Sequence, residues 1–204
     1  VVFDKTGTLT YGNLKISKVF NYSSYKEKEL IRIVSSLEEY SKHPISKAFK
    51  AYCEDNKIEI LEVDGFKNIS GIGLYGVINK KKYYVGNSKL FKKLDIKNNY
   101  MDDENTLTSL GNSIVYVIEN NKVIALIGVM DVIRDEAKST ISSLKKLGKR
   151  VVMLSGDNSV TANIIASSLE IDDVIADCLP IDKEKYLRKL MNSGNKVMMI
   201  GDGI

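Results

Sequence analysis

Asp4-Lys5-Thr6-Gly7-Thr8-Leu9-Thr10 directly follows the apolar stub Val1-Val2-Phe3. The pattern reads as a carboxylate at the end of a buried strand, placed to act as a nucleophile. A lone aspartate after an apolar run is ordinarily a turn residue, and it is the residues around Asp4 that change the reading. A carboxylate attacking a phosphoryl group forms an acyl phosphate, and the transfer rests on positioning and on charge neutralisation by Mg²⁺ and by backbone or side-chain donors. Gly7 lets the backbone turn tightly, while Thr6 and Thr8 offer hydroxyls and main-chain groups to phosphate and metal.

The seven-residue string resembles the phosphorylation signature of the P-type ATPases, a version of a loop shared across the haloacid dehalogenase superfamily. Phosphatases of that superfamily place a second aspartate two positions after the nucleophile as general acid and base. Thr6 stands there in this sequence and cannot do that work near neutral pH, so the resemblance implies an aspartyl phosphate that persists. Three later positions match the remaining superfamily motifs in chain order. Ser155, in Ser155-Gly156-Asp157, would hydrogen-bond the phosphoryl oxygens; pumps usually carry threonine there, and the hydroxyl is retained. Lys183, in Leu179-Pro180-Ile181-Asp182-Lys183, would neutralise phosphate charge. Asp202 would coordinate Mg²⁺ with Asp4 and the Thr6 carbonyl, an oxygen set that suits this ion. The implied phosphate cradle is Lys5, Thr6, Gly7, Thr8, Ser155, Gly156, Asp157 and Lys183. Asp131-x-x-Arg134 resembles a hinge-side segment of the same pumps, although Arg134 equally suits the start of a helix.

A second group of motifs lies between residues 38 and 87. Ser41-Lys42-His43-Pro44 resembles the Ser-Glu-His-Pro motif of the heavy-metal-transporting branch of P-type ATPases, with lysine where glutamate is usual. His43 is the only histidine in the chain; its imidazole could stack on adenine while the rigid proline fixes its approach. Glu38, five residues earlier, occupies the place of the branch's adenine-recognising glutamate, and its carboxylate could accept a hydrogen bond from the exocyclic amine. Gly71-Ile72-Gly73 matches the branch's G-x-G loop and Gly86-Asn87 a Gly-Asn pair of the same pocket. Strand-like sequence follows the glycines, so they are not a dinucleotide-binding fingerprint.

Elements must position these groups. Ser24-x-x-Glu27 matches a capping box, and Leu30, Ile31, Val34 and Leu37 recur at helical spacing. Pro44 suits the first turn of a helix running to about Asn56. Strand-like pieces are expected at 58–63, 66–69, 74–79 and 82–86, with a further pair at 113–119 and 122–129 joined across Asn120-Asn121. From Asp131 the pattern alternates: helix 134–147, strand 151–154, helices near 159–168 and 182–192, and strand 197–200. Short apolar strands alternating with helices imply a parallel sheet covered on both faces, with ligands beyond the carboxyl ends of its strands. The expected fold is therefore α/β. A Rossmannoid phosphorylation domain of the haloacid dehalogenase type (1–14 and 128–204) is interrupted by an antiparallel α+β nucleotide-binding insertion (15–127).

Composition narrows the class. The 204 residues, 44% hydrophobic and 27% charged, are ordinary for a globular protein. No run of about 18 apolar residues exists, and the start lacks a basic segment and cleavage site, so the chain is expected neither to span a membrane nor to be secreted. Cys53 and Cys178 form no C-x-x-C pair and indicate neither zinc nor a disulfide framework. The net charge of +4 tolerates a polyanion such as ATP, while no aromatic-basic platform supports nucleic-acid binding. The start inside a strand and the stop at Gly201-Asp202-Gly203-Ile204 suggest a piece of a larger membrane protein.

Taken with the resemblance, these features imply the ATP-binding unit of a heavy-metal P-type ATPase on the cytoplasmic face of a membrane. ATP would dock in the insertion, and closure about 11–15 and 126–131 would carry its γ-phosphate to Asp4 with Mg²⁺. The transmembrane and actuator domains of the same polypeptide would be its partners, and the transported ion, copper as the first guess, would bind elsewhere. Two rival readings are a soluble phosphatase with a cap domain, opposed by Thr6, and a non-catalytic nucleotide sensor.

Overall fold

A computed structural model describes residues 1–157 and 159–201. In chain order the first elements are β1 (Val2–Asp4), β2 (Thr10–Asn21), α1 (Glu27–Glu38), α2 (Pro44–Asp55), β3 (Asp64–Ile69), β4 (Gly73–Ile78) and β5 (Lys81–Gly86). There follow α3 (Lys89–Leu94), α4 (Met101–Ser109), β6 (Ser113–Glu119), β7 (Lys122–Ile133) and α5 (Ala137–Lys146). The chain continues with β8 (Val152–Leu154), α6 (Ser159–Leu169), β9 (Asp173–Ile175), α7 (Pro180–Asn192) and β10 (Met199–Ile200). It divides into two compact units: Val1–Asn13, Ser109–Gly111 and Asp131–Ile204 make the first, and Leu14–Thr108 with Asn112–Met130 make the second.

The first unit is built on a parallel sheet in the order β10-β1-β8-β9. Side-chain alternation along its strands feeds two cores. Val2, Val152 and Leu154 face Tyr186, Leu187 and Leu190 of α7, while Phe3 and Met153 join Ile141 of α5 and Ile165 of α6. The central strands β1 and β8, buried on both faces, read as apolar runs. They end at Asp4 and just before Ser155.

The second unit carries a six-stranded sheet, β2-β7-β6-β5-β4-β3, whose pairings from β3 to β7 are antiparallel. On one face α1 and α2 bury Leu30, Ile31, Val34, Leu37 and Phe49 against Leu74, Val85 and Val117. On the other, Leu90, Phe91 and Leu107 of α3 and α4 pack on Tyr116, Ile118 and Leu126. The β6–β7 hairpin turns through Asn120 and Asn121, both with positive φ (44° and 65°), which asparagine tolerates better than most residues.

Several boundaries differ from those expected. Residues 58–63 form no strand: Leu61 N–H donates to Ser36 Oγ and Glu59 C=O accepts from Arg32 Nε, so this segment is tied to α1 instead of to a neighbouring strand. The box at the start of α1 is set two residues later than Ser24-x-x-Glu27, with the Glu29 carboxylate accepting from Lys26 N–H. Helix α5 starts at Ala137 because Arg134 is used elsewhere, its N–H donating to Leu9 C=O. The elements β2, α3, α4 and β9 add to those read from the sequence.

Candidate active site

Asp4 closes β1 in extended conformation, and its carboxylate accepts from Lys5 N–H at 2.8 Å. The next residues wind tightly, with Gly7 at φ 77°, a left-handed value that glycine adopts without a Cβ clash. Arg134 holds this loop from outside: its guanidinium donates to Gly7 C=O (3.1 Å) and Thr10 C=O (3.3 Å), and it stacks over the Tyr11 ring. Thr10 Oγ1 donates to Asp131 Oδ2 at 2.6 Å. The Asp131-x-x-Arg134 segment is thus part of the loop's support, a role for which its spacing was the available signal. Thr8 Oγ1 is buried with no partner among the described residues. A cleft of about 310 Å³ flanks Gly7, Thr8, Arg134, Thr140 and Gly201.

Groups distant in sequence converge here. Lys183, in the first turns of α7, places Nζ 2.8 and 2.9 Å from the two carboxylate oxygens of Asp4, across 179 positions. Ser155 is fully buried, and its hydroxyl accepts from Asp157 N–H at 3.0 Å, which leaves its own proton to donate. The loop that delivers α7 hangs on the same turn: Cys178 N–H donates to Ser155 C=O and Asp177 N–H to Asp157 C=O.

Lys5 departs from the expected phosphate-binding role. Its side chain is buried and pairs with Asp157 Oδ2 at 2.8 Å and Asp131 Oδ2 at 3.7 Å, so only its backbone N–H reaches Asp4. The Asp157 carboxylate is correspondingly committed to Lys5.

For Mg²⁺, the donor set at the end of β1 fits: the Asp4 carboxylate and the Thr6 carbonyl are hard oxygens on an exposed turn, the kind this ion accepts while keeping several waters. Asp202, the third expected ligand, lies outside the described residues. The parallel register Val2↔Met199 and Phe3↔Ile200 brings Gly201 beside Asp4.

In the second unit the adenine candidates meet at the α1–α2 turn. Glu38 ends α1 almost wholly buried, and its Oε2 has no partner among the described residues. Burial pushes its carboxyl up to about 7, with the Ser41 hydroxyl and Lys50 pulling partly the other way. His43 is exposed and caps α2, Nδ1 accepting from Ile45 N–H at 3.2 Å. That bond fixes the proton of a neutral ring on Nε2, which is left to face a ligand. Ser41 Oγ accepts from His43 N–H, joining the turn together.

Gly71, Gly73, Gly86 and Asn87 also come together, and for a reason internal to the fold. Gly73 pairs with Gly86 across β4 and β5, where a Cβ on Gly73 would stand 2.2 Å from Val85 O and one on Gly86 would stand 2.2 Å from Ile72 O. Asn87 Nδ2 donates to Gly71 C=O at 3.1 Å. The two backbones approach each other too closely for any side chain, whatever else approaches them.

The haloacid dehalogenase-like hydrolase profile matches residues 1–204, the whole chain. The chain belongs to this family. Within it, the chain is 35% identical over 212 residues to a cadmium-transporting ATPase of Staphylococcus aureus, covering all of this chain and 29% of that protein. It is 34% identical over 204 residues to a copper-exporting P-type ATPase B of Archaeoglobus fulgidus, again covering all of this chain and 29% of the relative. Among solved structures, a zinc-transporting PIB-type ATPase in its E2.Pi state superposes with a TM-score of 0.82 at 29% identity, covering 99% of this chain and 32% of that one. The catalytic domain of the CPx-ATPase CopB-B gives 0.71 at 32% identity, covering all of this chain and 71% of that one. The chain thus spans under a third of the length of these curated relatives. Among the described residues no helix is long and apolar enough to cross a membrane.

Proposed function

We infer that this chain is the ATP-binding and phosphorylation unit of a heavy-metal-translocating P-type ATPase, working on the cytoplasmic face of a membrane. ATP held through its adenine by the α1–α2 turn donates its γ-phosphate to Asp4. The observation that carries this reading is the Asp4 carboxylate held by Lys183 at 2.8 and 2.9 Å, with threonine and not aspartate two positions on. A carboxylate so held can be phosphorylated, and Thr6 supplies no general base to hydrolyse the product.

Each remaining group has work suited to its chemistry. Lys183 neutralises charge on the transferred group, Ser155 donates its free hydroxyl proton to a phosphoryl oxygen, and the unpartnered Thr8 hydroxyl is a second donor at the loop. Mg²⁺, when bound by Asp4, the Thr6 carbonyl and Asp202, supplies Lewis-acid neutralisation of phosphate charge. Glu38 accepts from the exocyclic amine, and the His43 ring stacks on the base. The transmembrane and actuator domains belong to the same polypeptide, and the transported ion, with copper proposed first, binds within the membrane part. The test is labelling of the full-length protein from ATP and Mg²⁺. An acid-stable, hydroxylamine-labile phosphoenzyme is expected, and Asp4→Asn abolishes it. Label retained in that variant, or steady release of phosphate from small phosphoesters, would overturn the reading.

A further inference from the structure

The phosphorylation loop contains a lysine that the chemistry above leaves unused. Lys5 is only 6% exposed, and its ammonium lies between two carboxylates, 2.8 Å from Asp157 and 3.7 Å from Asp131. Asp131 is itself buried, and its Oδ1 has no partner among the described residues. The buried Asp131 carboxylate is compensated only while that cation is present, since removing one partner of a buried charged pair leaves uncompensated charge, and the half-buried Asp157 shares the same ammonium.

The cluster is connected to the reacting groups by two short routes. Asp157 N–H donates to the Ser155 hydroxyl, so the position of Asp157 sets where that hydroxyl points. Asp157 C=O accepts from Asp177 N–H, and Ser155 C=O from Cys178 N–H, in the segment that leads directly into α7 and Lys183. On the other side Asp131 accepts from Thr10 Oγ1, at the far end of the phosphorylation loop. A single ammonium on the phosphorylation loop therefore ties that loop to the end of β7 and to the turn that holds Ser155 and leads into Lys183.

We propose that Lys5 is a positioning residue for phosphoryl transfer. Its ammonium fixes the Ser155-Gly156-Asp157 turn and the end of β7 against the phosphorylation loop, and thereby the Ser155 hydroxyl and Lys183, without touching the phosphate. The proposal rests on the reading of Asp4 as the phosphorylated residue, and its test is arranged to separate the two. In the full-length protein, Lys5→Met is expected to slow phosphoenzyme formation at saturating ATP by about 100-fold, the scale of a small misplacement of reacting groups. The ATP concentration for half-saturation should move less than about threefold, because nucleotide is held by the other unit. Lys5→Arg, which keeps the cation, should recover most of the rate.

The decisive variant is Lys5→Met combined with Asp131→Asn, which keeps an acceptor for Thr10. If Lys5 serves as counter-charge, removing the buried, orphaned carboxylate should restore at least about tenfold over Lys5→Met alone. If Lys5 contacts the phosphate instead, the two losses multiply, and that result overturns the proposal. Should Lys5→Met not fold, as judged by its melting profile, Asp157→Asn alone decides, measured with inorganic phosphate as donor. A lower rate with unchanged apparent phosphate affinity supports the tie, and an unchanged rate refutes it. Absence of labelling in the wild-type protein would strike the functional reading, whereas labelled wild type with multiplying losses would strike only this one.

Discussion

Glu38 makes the proposed adenine site sensitive to pH in a direction that can be worked out. Its carboxyl is raised from 4.5 to about 7 by burial, so the folded chain holds this proton more tightly than the unfolded chain. The contribution of Glu38 to stability is then fully present below about 4.5, is lost as pH rises through about 7, and levels off above. At about 1.4 kcal/mol for each tenfold change in proton affinity, keeping Glu38 ionised costs the fold roughly 3 kcal/mol above pH 7. Glu38→Gln, a neutral replacement of the same shape, should therefore stabilise the chain by up to roughly 3 kcal/mol at pH 8 and by little at pH 5, read by denaturant unfolding at the two values.

Nucleotide affinity should move the opposite way. An exocyclic amine that donates to Glu38 is held more strongly by the ionised carboxylate than by the neutral acid, so binding favours loss of the proton. Wild-type affinity for ATP should rise by up to about tenfold from pH 6 to pH 8 relative to Glu38→Gln, whose side chain does not titrate. Taking the ratio of the two proteins cancels the titration of the ATP phosphates themselves. Calorimetry at pH 6, 7 and 8 supplies both curves. Parallel slopes in wild type and variant would refute the placement of Glu38 against the base, and a Glu38→Gln protein no more stable than wild type at pH 8 would refute the cost of ionising this buried carboxyl.

His43→Asn, which retains an acceptor for the Ile45 N–H cap, should weaken ATP binding about five- to hundredfold by loss of the ring contact. His43→Ala should lose about 1 kcal/mol of stability in addition; equal stabilities, or unchanged affinity in calorimetry, count against the placement. Lys183→Ala should leave adenine affinity within about threefold while lowering phosphorylation from either ATP or inorganic phosphate by about 100-fold or more. Gly73→Ala should destabilise the second unit by about 2 kcal/mol or more even without nucleotide, since its Cβ would stand 2.2 Å from Val85 O. A Gly73→Ala protein of normal stability but impaired binding would show that the ligand, and not the sheet, demands the glycine.

The parts of the fold that could be read in the sequence are those whose signals are local. Strand β1 announces itself as an apolar run ending at Asp4, the β6–β7 hairpin through Asn120-Asn121, and α2 through His43-Pro44. The parts that could not be read depend on tertiary partners. Helix α3 has only six residues, and α4 buries just Leu107 among nine, so neither carries a usable period. Strand β9 is three half-buried residues that gain their identity by pairing with β8. Residues 58–63 show the converse error, in that apolar residues at strand spacing are recruited by Ser36 and Arg32 of a helix.

At the site, residue types and chain order pointed to Asp4, Ser155 and Lys183, but a motif does not say where its side chains aim. Asp4 leaves β1 in extended conformation, and successive side chains on an extended backbone face opposite ways. The Lys5 ammonium goes to the buried side, where it is taken up by Asp131 and Asp157, while the half-buried Asp4 carboxylate faces Lys183. The cation that neutralises Asp4 has to arrive from another element, and α7, whose first turns lie beyond the end of the same sheet, is the element that brings Lys183 to it.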